Sequence, residues 1–163
     1  RGGRPCSIVS AMTIDETNRR ILKALQADGS ISNAELARQV GLAPATVLER
    51  VRKLEQNGVI RRYAAIVDAE KVGFPITAFV EVAMSDHSSQ SIKTFSRSVA
   101  AIPEVLECHH IAGDKDFLLK VVTEDIRSYE RFALDTLAAM PNIGHITTVF
   151  VLSTMKEDTP VPV

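Results

Sequence analysis

The sharpest chemical pattern in the sequence lies between Ala43 and Arg62. Ala45, Thr46, Glu49, Arg50 and Lys53 fall largely on one side of a helix whose other side is Val47, Val51 and Leu54. Short side chains followed by long cations suit a helix that enters a DNA major groove, with Arg50 reaching a guanine edge or a phosphate. Arg52, Arg61 and Arg62 add cations on the helix flank and in the segment after it, where phosphates would run. A solvated charged face has the same composition, so charge alone does not decide. A second pattern is the turn Gly113-Asp114-Lys115-Asp116. Backbone N–H groups freed by Gly113 could approach a carboxylate, and an Asp side chain could pair with an ammonium. An ordinary solvated turn uses the same residues, and turn chemistry leaves both readings open. Cys108 and His110 alternate onto one strand face, but a metal needs three or four ligands and no C-x₂-C or H-x₃-H partner is present. No metal or cofactor is expected. The sequence also has no Walker loop, nucleophile elbow or H-E-x-x-H motif.

The elements that must position these residues are legible. Asp15 can cap a helix with Ile21, Leu22 and Leu25 inward, ending near Asp28-Gly29. Ser32-Asn33-Ala34-Glu35 has the form of a reciprocal capping box and opens a short helix stopped by Gly41. Pro44 begins the longer helix and Gly58 ends it. Residues 59–67 read as extended chain folded into a small basic hairpin. Together these make a winged helix-turn-helix over residues 12–63. Residues 64–75 are a linker. Beyond Gly73-Phe74-Pro75 the period changes to two, with Ile76, Ala78, Val80, Val82 and Met84 on one face. A helix follows with Ile92, Phe95, Val99 and Ile102 inward, then strands over 104–111 and 117–123. Asp125 caps a helix carrying Ile126, Tyr129, Ala133, Leu137 and Met140, and residues 143–152 form a last strand. The order β-α-β-β-α-β predicts an α+β, ferredoxin-like domain over residues 76–156. Two helices cover one sheet face, so the other face is expected to bury against a second copy. Residues 1–11 are read as a flexible or non-native tail, with the folded part starting at Met12, and residues 157–163 as a loose C-terminal tail.

With 163 residues, 45% of them hydrophobic and 24% charged, the chain has the composition of a globular protein with one or two small domains. No run approaches the roughly 18 apolar residues of a membrane span. Two cysteines without a framework, and no apolar core of leader length near Arg1, point to the cytoplasm. The net charge of −1 hides an asymmetry: residues 1–63 hold 11 Lys/Arg against 6 Asp/Glu, and residues 64–163 hold 8 against 14. A basic first module implies a polyanionic partner, here double-stranded DNA.

The runs Ile31-Ser32-Asn33-Ala34-Glu35-Leu36-Ala37, Val40-Gly41-Leu42, Leu48-Glu49-Arg50-Val51-Arg52-Lys53-Leu54-Glu55 and Gly58-Val59-Ile60 resemble the Lrp/AsnC, or feast/famine, regulators. Glu107-Cys108-His109 and Gly113-Asp114-Lys115-Asp116-Phe117-Leu118-Leu119-Lys120 resemble their ligand-sensing domain. The resemblance spans about Ile14 to Lys156. It implies a regulator, not an enzyme, that binds DNA and responds to a small effector, an amino acid, with Ser32 joining the DNA-contacting set. It also implies homodimers assembling to octamers. The effector is expected at the contact between dimers, near Gly113, Asp114 and Asp116, with Thr148, Val149 and Phe150 of the last strand nearby. One departure is Ala43, where the family usually has a capping Ser; losing such a cap costs ~1 kcal/mol. Two other readings share the fold: a sirohaem decarboxylase-like enzyme, which would use histidines on a tetrapyrrole and against which stand only four histidines (His87, His109, His110 and His145) and intact DNA-facing cations, and an architectural protein that coats DNA without an effector.

Overall fold

The computed structural model describes residues 14–157 and 159–163. The expected tail over residues 1–11 and the start at Met12 lie outside the described residues. The chain forms two compact units. One is helical, running to Ile66 and joined by Met155–Val163; the other is the sheet unit Val67–Thr154.

In the helical unit, α1 (Glu16–Ala27) is capped by Asp15, whose side chain accepts the Asn18 N–H. Helix α2 (Asn33–Val40) starts at Ser32 and stops at Gly41, which takes a left-handed conformation that a β-carbon disfavours. Helix α3 (Pro44–Gln56) has Pro44 in its first turn, where a missing N–H costs nothing, and Ala43 supplies no side-chain cap. At its end the Val59 N–H bonds Leu54 O and the Gly58 N–H bonds Glu55 O, which satisfies two orphan carbonyls. Ile21, Leu22, Leu36, Ala37, Val40, Val47, Val51 and Leu54 form one buried core, which includes the inward faces expected for α1 and α3 except Leu25, which is partly buried against it.

Three expectations for this unit are corrected. The capping box is half made: Ser32 Oγ accepts the Glu35 N–H at 3.2 Å, but the Glu35 carboxylate is occupied by Arg38 at 2.8 and 3.0 Å. The hairpin does not form. Val59 and Ile60 pack on the core, and residues 61–67 are exposed and belong to no strand; the run has no Gly or Asn to make a tight turn. The C-terminal tail is docked, not loose. The Gln26 amide donates to Val161 O at 3.1 Å and accepts the Val161 N–H at 2.7 Å, while Val163 packs on the helical core.

The sheet unit follows the expected order: β1 (Ile76–Met84), α4 (Ser89–Val99), β2 (Val105–His110), β3 (Phe117–Thr123), α5 (Ile126–Arg131) and β4 (Ile143–Phe150). The strands lie antiparallel in the order β2-β3-β1-β4. Ala78, Val80, Val82 and Met84 of β1 join Phe117, Leu119 and Val121 of β3 in a core closed by Phe95, Val99, Tyr129, Phe132 and Leu137. The second helix departs from expectation. After Arg131 it continues as a π-helix over Phe132–Leu137. The wider turn still buries Phe132 and Leu137. Ile126, at the first position of α5, is exposed.

Candidate functional site

The expected DNA-facing residues separate into two groups. Ala45, Thr46, Glu49, Arg52 and Lys53 are exposed on α3, and Ser32, Arg61 and Arg62 are exposed beside it in the chain. Glu49 pairs with Lys53 one turn on at 2.7 Å, and that bond holds the Glu49 carboxyl below its ordinary range. Among the described residues, Arg52, Arg61 and Arg62 have no carboxylate within ion-pair distance, so their charges stand available to phosphates. Arg50 is different, and its expected outward position is corrected. Its guanidinium turns to the start of α1, donating to Asp15 Oδ2 at 2.7 Å and to Asn18 Oδ1 at 3.1 Å. Helix geometry explains why. At about 100° per residue, Arg50 lies on the flank of α3, between the buried stripe and the outer face.

The turn of the sheet unit holds together at Asp116. Its N–H donates to Val82 O at 2.9 Å and its carbonyl accepts the Ile111 N–H at 2.9 Å. Its Oδ2 accepts the Met84 N–H at 2.7 Å and lies 3.3 Å from His87 Nε2, with the side chain only 17% exposed. One carboxylate therefore ties the β2–β3 turn to the end of β1. Asp114 is exposed, and Gly113 has φ 147°, a backbone conformation that requires glycine although the space around it is open.

Thr148, Val149 and Phe150 do not gather with this turn in one chain. The register sets Thr148 opposite Val80 and Phe150 opposite Ala78, whereas Phe117, next to Asp116, lies opposite Val82. From Met84 to that stretch the distance along β1 is roughly 13–20 Å at the usual strand rise. The three residues also split between faces. Thr148 and Phe150 point to the helix side, where the Tyr129 hydroxyl bonds Thr148 Oγ1 and the Phe150 ring sits edge-on to Tyr129 at 4.9 Å. Val149 points to the open face beside exposed Phe79. That face also carries Leu118 and Lys120, with Glu107 within 2.9 Å of His109 and 4.0 Å of Lys120.

Cys108 and His110 do share a face, as expected, and the His110 ring lies 5.0 Å from Phe117. Among the described residues no group of three or more His, Cys, Asp or Glu could hold a metal, and no helix is long and apolar enough to cross a membrane. A cleft of about 320 Å³ lies at the other end of β3, lined by Glu104, Thr123, Arg131 and Asp135 among others, and none of the expected site residues lines it. Sequence reasoning missed Asp15 and Asn18 as partners of Arg50, and Met84 and His87 as partners of Asp116. These contacts span 29 to 35 residues of chain, and no local pattern signals them.

Comparison with known proteins accounts for both units. Residues 14–61 match the winged helix-turn-helix DNA-binding family, and residues 77–161 match the Lrp/AsnC ligand binding domain. The transcriptional regulator AzlB of Bacillus subtilis is 37% identical over 150 residues, which is 92% of this chain and 96% of that protein. The leucine-responsive regulatory protein of Escherichia coli is 35% identical over 144 residues, 88% of each chain. Among solved structures, a transcriptional regulator from Neisseria meningitidis in complex with L-Met superposes with a TM-score of 0.87 at 35% identity, covering 92% of this chain and 97% of that one.

Proposed function

The chain belongs to the Lrp/AsnC family of transcriptional regulators, and from that premise we propose an effector-gated regulator that takes an amino acid and works as an assembly of dimers. A DNA-binding helix-turn-helix and a ligand-binding domain in one chain define a regulator, not an enzyme. On DNA, Thr46, Ala45 and Glu49 face the base edges with Lys53, while Ser32, Arg52, Arg61 and Arg62 contact the backbone. Specificity for one operator then comes from two such helices held at a fixed spacing by a dimer. Phe79 and Val149, exposed side by side on the uncovered sheet face, support that dimer, because two copies of the face bury each other. Such a regulator works in the cytoplasm, where its DNA is.

The observation that carries the effector reading is the separation of its two halves. Asp116, with Gly113 and Asp114, sits at one end of the sheet, and Thr148, Val149 and Phe150 lie toward the other. One amino acid can meet both sets only where two protomers adjoin, so occupancy changes assembly. That is how a ligand far from α3 would alter DNA binding, through a coupling of typically 1–3 kcal/mol. The relative solved with L-Met supports an amino acid as the class of effector. A thermal-shift screen against the twenty amino acids tests this, since a ligand selective for one folded assembly must raise stability by mass action. Light scattering and operator titration with the hit then follow assembly and affinity. A hit that stabilises the chain but moves neither would refute the gating, and no hit at millimolar concentration would refute the amino-acid class.

A further inference from the structure

Arg50 has the side-chain type of a base reader and the position of a brace. Val47, Val51 and Leu54 are buried on α3, and the direction opposite them passes between Ala45 and Glu49. Arg50 lies nearer the buried stripe than this outer direction, with its side chain 33% exposed. Its partner Asp15 is used twice. One carboxylate oxygen accepts the Asn18 N–H at 2.7 Å and so starts α1; the other takes the Arg50 guanidinium at 2.7 Å. The Asn18 side chain adds a third contact at 3.1 Å. The guanidinium bond is also the main reason that the Asp15 carboxyl sits below its ordinary value, with the Asn18 bond second. The first turn of α1 and the middle of α3 are thereby pinned through three side chains, Asp15, Asn18 and Arg50.

We infer that Arg50 is a positioning residue and that the Asp15–Arg50 pair sets the pose of the DNA-facing side of α3, leaving base reading to the residues around Thr46 and Glu49. The inference rests on the reading of α3 as the DNA-facing helix. Exposed ion pairs contribute little to stability, so the consequence of this one is geometric. It makes a prediction opposite to simple electrostatics. Asp15 is an anion on a DNA-binding unit, and deleting its charge should tighten DNA binding if charge were all that mattered.

The test is a double-mutant cycle in the full-length chain. Asp15→Asn keeps an oxygen that can cap α1 but removes the charge that holds Arg50; Arg50→Ala removes the other partner. Operator affinity is measured for both and for the double variant, together with base preference on a randomised operator. Each single change is expected to weaken operator binding about three- to tenfold, and the double to be no worse than either. Base preference should be unchanged, and Arg50→Lys, which keeps one contact to Asp15, should recover part of the loss. Tighter binding by Asp15→Asn would overturn the inference, and so would relaxed preference at a single base pair in Arg50→Ala. Failure of the underlying reading looks different: Thr46→Ala and Arg52→Ala would then leave operator binding intact.

Discussion

Replacing Asp116 separates its two possible duties. The carboxylate accepts the Met84 N–H at 2.7 Å from a side chain only 17% exposed. Asp116→Ala leaves that half-buried N–H without a partner, and a hydrogen bond to a charged acceptor contributes about 1.5–3 kcal/mol. Taking ~2 kcal/mol, and 4–8 °C per kcal/mol for a domain of this size, the sheet unit should melt roughly 8–16 °C lower. Asp116→Asn retains a neutral acceptor, so it should lose about half as much. If the charge also pairs with an effector ammonium, the asparagine variant must lose affinity out of proportion to its stability, by about tenfold or more for a charge-assisted bond. The assay is thermal unfolding of parent and both variants, with and without the amino acid found by screening, followed by operator titration. An alanine variant as stable as the parent would show that the Met84 bond contributes nothing. An asparagine variant with the full effector response would remove the Asp116 charge from the effector site.

Other expectations follow from the same contacts. Ala43→Ser supplies the oxygen that α3 lacks and should stabilise the helical unit by ~1 kcal/mol, slowing amide exchange in α3 about fivefold; unchanged exchange would contradict the capping argument. Arg62→Ala should weaken binding to operator and random DNA alike and reduce the salt slope by about one; a loss confined to the operator would make Arg62 a base reader. Gln26→Ala removes both bonds to Val161, so the Val161 amide should exchange freely while amides of β1 and β3 stay protected, and continued protection would place the tail's hold elsewhere. Asp15, Glu35, Asp86 and Asp125 are each held below their ordinary values, chiefly by bonds from Arg50, Arg38, Ser91 and Ser128 respectively. Their folded forms therefore favour the carboxylate, so the stabilisation is complete above the ordinary values of 3.8 and 4.5 and is lost as pH falls through the lower folded values. The melting temperature should drop below about pH 4, and a flat profile down to about pH 2.5 would refute that contribution.

The elements were legible where a local rule fixes them. Asp15, Pro44 and Gly58 mark helix ends because caps act within one turn, and strand 117–123 is bounded as expected because its alternation matches burial on the pleat. The hairpin was misjudged because a basic, β-branched run without turn residues does not by itself specify two paired strands. The π-helix was misjudged because a period of 3.6 was assumed past Arg131, where the structure adopts a wider turn. Ile126 lies before that stretch, at the first position of α5 after the Asp125 cap, and is exposed there. For the site, the type and exposure of Thr46, Arg52 and Arg62 could be read from spacing on α3. The allegiance of Arg50 could not, since spacing places a side chain on a flank without naming the residue 35 positions away that meets it.

The docked C-terminal tail has a thermodynamic consequence. The helical unit is made from both sides of the sequence, with Val67–Thr154 inserted between them, so seating the tail closes a loop of 88 residues. The inserted unit begins and ends on neighbouring strands, where Ala78 is the register partner of Phe150. Once the sheet has folded, only about 15 residues of connector, 67–77 and 151–154, remain in that loop. Shortening it in this way lowers the entropy of closure by about 1.5 kcal/mol. Folding of the sheet thus favours seating of the tail, and a sheet that unfolds loosens Val161 and Val163 from the DNA-binding unit as it goes.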